Sequence, residues 1–150
     1  MATRANILVK VKDSDLGEVI KFDPSFVPGG YSWNEEFIGL LQPIVLEKNF
    51  IGIYHHWDSY PEGLGNILER KFNTYREVLN LMCIGDCSSI CQGRLDSYVL
   101  WRGEDWSTSK PKQSDNDGDL CSSRNDYYYL FENGQWFYKS CQKDLWEDFV

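Results

Sequence analysis

Residues 54 to 65 read Tyr-His-His-Trp-Asp-Ser-Tyr-Pro-Glu-Gly-Leu-Gly, and both histidines of the chain lie within them. Imidazole and carboxylate are the side chains best suited to moving protons near neutral pH, and both ligate metals. His55 and His56 are adjacent, so an extended backbone sends them to opposite faces. His56 and Asp58 lie two apart and share a face if the strand continues. There they could work as base and orienter, or as paired metal ligands. The same spacing also fits a histidine that is merely satisfied by a neighbouring carboxylate. Pro61 has no N–H and stops strand pairing. Gly63 and Gly65 then flank Leu64 ahead of a helix-like segment, where bare backbone N–H groups can hold an anion. This Gly-x-Gly lacks the third glycine of a dinucleotide fingerprint and the Gly-Lys-Ser/Thr of a P-loop. Glu62 adds a repelling charge, and a tight strand-to-helix turn needs the same glycines.

Other clusters are weaker. Glu104 and Asp105 could supply carboxylates to a metal, but adjacent acids at a strand end also serve as solvated turn residues. Asp115-Asn-Asp-Gly-Asp119 has the composition of a calcium loop, yet Gln113 stands where an EF-hand needs its first acid. The five cysteines are Cys83, Cys87, Cys91, Cys121 and Cys141. Their odd number predicts free thiols, and the spacing of the first three misses the Cys-x-x-Cys knuckle of zinc sites. No Gly-x-Ser-x-Gly, His-Glu-x-x-His or kinase motif is present. No metal and no cofactor is expected.

The elements that must position these residues follow from composition and pattern. A chain of 150 residues with 42% hydrophobic and 15% aromatic content is long enough to bury one core without staples. Its net charge of −8 argues against direct nucleic-acid binding, which needs a basic surface. Acidity serves solubility first; it could also attract a basic partner or mimic phosphates. No apolar run reaches the length of a membrane span, and Met1 to Asn6 lacks the apolar region of a signal peptide. The expectation is a cytoplasmic protein with no membrane contact.

Ile7 to Val11 reads as a strand, Asp13-Ser-Asp as a turn, and Glu18 to Phe22 as the hairpin partner of that strand. Ser32 with Glu35 predicts a capping box opening a helix over Trp33 to Leu41. Asn49 to Trp57 is the strand leading into the opening motif, and Gly65 to Phe72 a short helix. Thr74 with Glu77 predicts a second capping box, for a helix ending near Met82. Residues 85 to 93 read as a loop and Ser97 to Arg102 as a strand. Polar residues 108 to 125 read as a long mobile loop. Asn133-Gly134 between aromatic runs predicts a two-residue hairpin turn. Residues 142 to 150 fit a final amphipathic helix. The sum is α+β: one domain, 1–150, with a mostly antiparallel sheet, helices on one face and a C-terminal aromatic hairpin.

Thr3-Arg4-Ala5-Asn6-Ile7, taken with His56-Trp57-Asp58-Ser59-Tyr60-Pro61-Glu62-Gly63, resembles a group of small bacterial and phage proteins. These begin with Thr-Arg-Ala or Thr-Arg-Gly and carry a His/Gln-Trp-Asp-Gly-Tyr-Pro-x-Gly core after a strand. The resemblance covers about the first half of the chain, and Ser59 stands where the group has glycine. It implies no reaction. It does imply a phage or mobile-element setting, and with that an anti-defence role. It also implies that the two segments meet in space, with Arg4 near Asp58. The candidate ligand-binding set is then Arg4, Tyr54, His56, Trp57, Asp58, Tyr60, Gly63 and Gly65, and the candidate catalytic pair is His56 and Asp58. The favoured reading is a small acidic inhibitor that binds a protein partner or a nucleotide-like small ligand stoichiometrically. The alternative is a small hydrolase or phosphodiesterase using His56, Asp58 and Arg4.

Overall fold

The computed structural model describes residues 2–141, 143 and 145–149. Along the chain the strands are β1 (Ala5–Lys10), β2 (Val19–Ile20), β3 (Ile44–Val45), β4 (Phe50–His55), β5 (Cys87–Ser89), β6 (Asp96–Ser97), β7 (Lys112–Ser114), β8 (Tyr127–Glu132), β9 (Gln135–Ser140) and β10 (Glu147–Asp148). The helices are α1 (Asn66–Lys71), α2 (Tyr75–Met82) and α3 (Trp106–Ser109).

The apolar, β-branched β1 lies inside the main sheet, whose order is β10-β9-β8-β1-β4-β5-β6. It pairs antiparallel with β4, Ile7 opposite Ile53, and parallel with β8, Ile7 opposite Tyr129. A second parallel pair joins β4 to β5, and α1 and α2 lie between those strands in sequence. The remaining pairings are antiparallel. Alternation along the strands sends Ala5, Ile7, Val9, Ile51, Ile53, Tyr129 and Phe131 to one face. There they join Leu64, Leu68, Val78, Leu79 and Met82 from the helical segments in one apolar core. Leu8, Tyr128 and Leu130 are buried outside that cluster, and a Cβ on Gly52 would sit 3.7 Å from Leu120. The architecture is α+β, a mostly antiparallel mixed sheet with helices. Among the described residues no helix is long and apolar enough to cross a membrane.

Several sequence expectations are met for local reasons. Thr74 caps α2 by accepting from the Glu77 N–H at 3.2 Å, and its own hydroxyl donates to the Glu77 carboxylate at 2.9 Å. Asn133 (φ 53°) and Gly134 (φ 77°) take the left-handed conformations that a two-residue β8–β9 turn requires.

Others are corrected. The partner of β2 is β3, not β1; the two form a separate small sheet with Val19 opposite Val45. Residues Glu35–Leu40 make a 3-10 helix capped by Asn34, whose side chain accepts from the Glu36 N–H. Ser32 is no cap, because its backbone bridges to the Arg94 region, taking the Leu95 N–H and giving its own N–H to Gly93. Residues 85 to 93 are not all loop: β5 runs through them, its small side chains Cys87 and Ser88 fully packed. Beyond Ser97 the expected strand is a helical turn. Ser97 Oγ accepts from the Leu100 N–H at 2.7 Å, and Trp101 N–H returns to the Ser97 carbonyl.

Within 108 to 125 lie the end of α3, β7 on β4, and a 3-10 turn over Asp117–Leu120. Gln113 stitches this stretch to residues 45, 47 and 48, and Asn6 holds Ser122 and Asn125. Of the expected tail helix, Gln142, Asp144 and Val150 lie outside the described residues; Glu147–Asp148 is strand β10, paired to β9.

A Cβ at Gly134 would meet no atom within 4 Å, so any loss on substitution there is backbone strain. Gly134→Ala is expected to lower unfolding stability by about 1 kcal/mol with no change of m-value, read by urea denaturation.

Candidate functional site

The strand β4 ends where the opening motif begins, and its end is fixed by hydrogen bonds that use most of the motif's polar groups. His55 is completely buried. Its Nε2 accepts from the Ile90 N–H at 3.1 Å, which places the ring proton on Nδ1. That proton is donated to Ser59 Oγ at 2.8 Å, and the hydroxyl donates in turn to the His55 carbonyl at 3.2 Å. Tyr129, from β8, donates its hydroxyl to the Ser59 carbonyl at 2.6 Å. Burial, helped by the neighbouring His56, pushes the His55 pKa down to about 3, so the ring is neutral. Cys91 Sγ lies 3.9 Å from Nε2, and burial above all raises that thiol to about 11. The pair is therefore a neutral thiol beside a neutral imidazole, not an activated nucleophile.

Ser59 thus ties the turn to His55 through its hydroxyl. The bend itself is made elsewhere. Asp58 adopts φ 59°, a conformation that aspartate tolerates better than most residues, and its carbonyl accepts from the Leu64 N–H at 3.0 Å. This bend corrects the expectation that His56 and Asp58 share a strand face, because β4 has already ended at His55. His56 Nδ1 instead meets the Tyr54 hydroxyl at 2.6 Å.

Gly63 and Gly65 serve packing. A Cβ on Gly63 would lie 2.6 Å from the Asp58 carbonyl and 3.1 Å from the Tyr60 ring, and one on Gly65 would lie 2.9 Å from Phe149. The N–H groups of Gly63, Leu64, Gly65 and Asn66 all donate to backbone carbonyls of the turn. They are not free for an anion.

The two sequence segments expected to meet do so through their backbones. Ser59 N–H donates to the Thr3 carbonyl at 3.2 Å. Arg4 donates its N–H to Asp126 and accepts at its carbonyl from Asp126 and Tyr127. Among the described residues no ion pair joins Arg4 to Asp58. Arg4 acts electrostatically on His56 instead: burial first, then the charges of Arg4 and Arg102, lower the His56 pKa.

A cleft of about 270 Å³ opens beside the motif, lined by Trp57, Asp58, Ser88, Ser89, Gln92, Arg94, Asp96 and Arg102. Sheet order explains its shape. Trp57 and Asp58 follow β4, Ser88 and Ser89 belong to the adjacent β5, and Asp96 begins β6 beyond it. The backbone holds the near side, with His56 N–H on the Cys87 carbonyl and Trp57 N–H on the Ser88 carbonyl.

On the far side Asp96 is buried, and its carboxylate takes Arg102 Nε at 3.1 Å and Arg102 Nη2 at 3.3 Å. Arg94 Nε stands 3.7 Å from the same carboxylate. Each guanidinium also lies over an aromatic ring, Arg94 over Trp101 at 5.5 Å and Arg102 over Tyr98 at 5.6 Å. Two cations share the Asp96 carboxylate, and with Asp58 also in the lining the cleft is formally neutral in a strongly acidic chain. Trp57 remains 46% exposed and is braced by His56, whose ring meets the indole edge to face at 4.8 Å.

Of the residues singled out from sequence, Trp57 and Asp58 line this cleft, and Tyr54 and His56 support its near side. Arg4 reaches it only through its field. Tyr60, Gly63 and Gly65 belong to the turn. Sequence reading missed Ser88, Ser89, Gln92, Arg94, Asp96 and Arg102. The available signal was the placing of scarce arginines beside aromatic residues, as in Trp101-Arg102. Asp105 caps α3 through the Ser107 N–H, and Asp119 takes the Ser114 hydroxyl. Among the described residues no group of three or more His, Cys, Asp or Glu is placed to hold a metal.

One carboxylate near the cleft has a structural duty. The outer edge of β4 is shared, its first half pairing with β7 and its end with β5. Between them Asp86 Oδ1 accepts from the Tyr54 N–H at 2.9 Å. Burial raises the Asp86 pKa to about 6, against the lowering effect of that hydrogen bond.

Two predictions follow from these contacts. Ser59→Ala strips the buried Nδ1–H of His55 of its acceptor and is expected to cost about 1–3 kcal/mol in urea unfolding. The second concerns pH. With His55 depressed to about 3, the unfolded chain binds more protons between that value and the ordinary 6.5, so this contribution is complete above 6.5 and is lost as pH falls. Asp86, raised to about 6 from 3.8, acts in the opposite sense: its contribution is present below 3.8 and lost as pH rises through 6. Asp86→Asn, which keeps an acceptor for Tyr54, is expected to lose stability more steeply than wild type from pH 6 to 4, by roughly 1 kcal/mol per pH unit. Urea titrations at each pH check it.

No protein-family model, no curated protein and no solved structure matches this chain.

Proposed function

We propose that this chain is a stoichiometric binding protein whose working surface is the cleft beside Trp57, and that what it binds there carries an anionic group. The observation that carries the reading is the far side of the cleft, where Arg94 and Arg102 share the single buried carboxylate of Asp96. A buried carboxylate holding two guanidiniums keeps their forks oriented before any ligand arrives. With Asp58 also in the lining the cleft is formally neutral, in a chain whose net charge is −8.

The catalytic alternative has less support. His55 is sealed and neutral, His56 is engaged by Tyr54 rather than Asp58, and Arg4 is tied by its backbone to Asp126. On the binding reading the protein acts by occupancy, sequestering a ligand or blocking a target. An inhibitor from a phage or mobile element, the setting that the resemblance implies, needs nothing more.

The test is thermal unfolding of the purified protein with a panel of inorganic phosphate, citrate, glutamate and ribose 5-phosphate. At least one anion is expected to raise the melting temperature, by about 3 kcal/mol of stabilisation at a hundredfold excess over its Kd. Arg94→Ala is expected to abolish that rise; because it also takes one of two cations from the buried Asp96, its unliganded melting temperature falls, and the rise is read against that lower baseline. Flat melting curves with every anion in millimolar amounts would sink the reading.

A further inference from the structure

The cleft has two chemically different ends, and their separation bears on what spans them. At the β4 end stands the indole of Trp57, half exposed and held in place by His56, which is itself held by Tyr54. At the β6 end stand Arg94 and Arg102, pinned on Trp101 and Tyr98. The strand between them, β5, gives the floor, through Ser88 and Ser89. Two strand spacings separate the ends, about 10 Å.

We infer that the ligand is a mononucleotide, its base lying on Trp57 and its phosphate held by Arg94 and Arg102 across the β5 floor. This rests on the binding reading given above and names the ligand class for the same cleft. A rigid indole face suits a planar base, and such stacking is worth about 1–3 kcal/mol per base. Two guanidinium forks suit the several oxygens of a phosphate ester better than the two of a carboxylate, which a single fork already satisfies. Arg102 commits Nε and Nη2 to Asp96, leaving Nη1; Arg94 approaches Asp96 only with Nε, at 3.7 Å, leaving both terminal nitrogens. Asp58 and Gln92, also in the lining, bring an acceptor and an amide within the same cleft for the polar edge of a base.

Size and charge select one nucleotide over a polymer. The volume of about 270 Å³ lies just under the roughly 300 Å³ at which small-molecule sites begin, so it takes one small ligand. The cleft lining, two arginines and two aspartates, is formally neutral in a chain of net charge −8, so a polyphosphate backbone running beyond the cleft meets net repulsion.

The experiment is isothermal titration of the full chain with AMP, GMP, CMP and UMP, alongside ribose 5-phosphate and the matching nucleosides. At least one mononucleotide is expected to bind tenfold or more tightly than ribose 5-phosphate and than its own nucleoside. Trp57→Ala should reduce mononucleotide affinity to that of ribose 5-phosphate, and Trp57→Phe should restore most of it. Arg94→Gln should reduce it to that of the nucleoside. If ribose 5-phosphate or citrate binds as tightly as every mononucleotide, or if Trp57→Ala leaves mononucleotide affinity unchanged, the nucleotide assignment is overturned and the anion-binding cleft stands. If nothing in either panel binds at millimolar concentration, both fall. Far-ultraviolet circular dichroism and melting temperature of each variant identify a folding defect, and Trp57→Phe and Arg94→Lys, the milder changes, then replace the failed ones.

Discussion

A single neutral imidazole joins three parts of the chain that are far apart in sequence. His55 receives the Ile90 N–H beyond β5 and gives its proton to Ser59 in the following turn, and the Ser59 carbonyl takes the hydroxyl of Tyr129 from β8. Each group is buried, so each would be costly if left without its partner. Among the described residues no buried side-chain nitrogen or oxygen is left without one. The arrangement also fixes the charge state: with a backbone N–H pointing at Nε2, a second ring proton has nowhere to go. The near side of the cleft inherits this rigidity, because Trp57 follows His55 by two residues and its N–H is held by Ser88.

The other side of the cleft is organised by the opposite device, a buried charge rather than a buried neutral ring. Asp96 would be unstable alone at its depth, and the two guanidiniums make it tolerable. Their aromatic supports remove much of the rotational freedom that a surface arginine keeps. The cleft is thus stiff on both sides for different reasons. One side is secured by a hydrogen-bond chain of uncharged groups, the other by shared Coulombic attraction at short range. Only the second places guanidinium groups in the cleft lining.

Local signals were legible in the sequence and distant partnerships were not. Thr74 with Glu77, Asn133 with Gly134, and the apolar run of β1 each specify their structure within a few residues. The strand β2 was recognisable, but nothing near Val19 says that its partner is Val45 rather than β1. Ser97 to Arg102 has the composition of a strand, and a serine hydroxyl capping Leu100 turns it into a helical turn. β5 was hidden because Cys-Ser-Ser is buried by being small, not by being apolar. The site divides in the same way. Trp57 and Asp58 stand out in their own segment, while Arg94, Asp96 and Arg102 become a site only when β6 is set two strands from β4.

The parallel pairing of β1 with β8 has a bearing on how the molecule comes into being. Arg4, which leads into β1, bonds to Asp126, which leads into β8, across 122 residues of chain. β1 therefore waits for β8, its edge open until that later hairpin has been made. Closing so long a loop is entropically slow, and an apolar strand with an open edge is a template for mispairing in the interval. Completion of the sheet is thus governed by the arrival of the aromatic hairpin rather than by the speed of the helices.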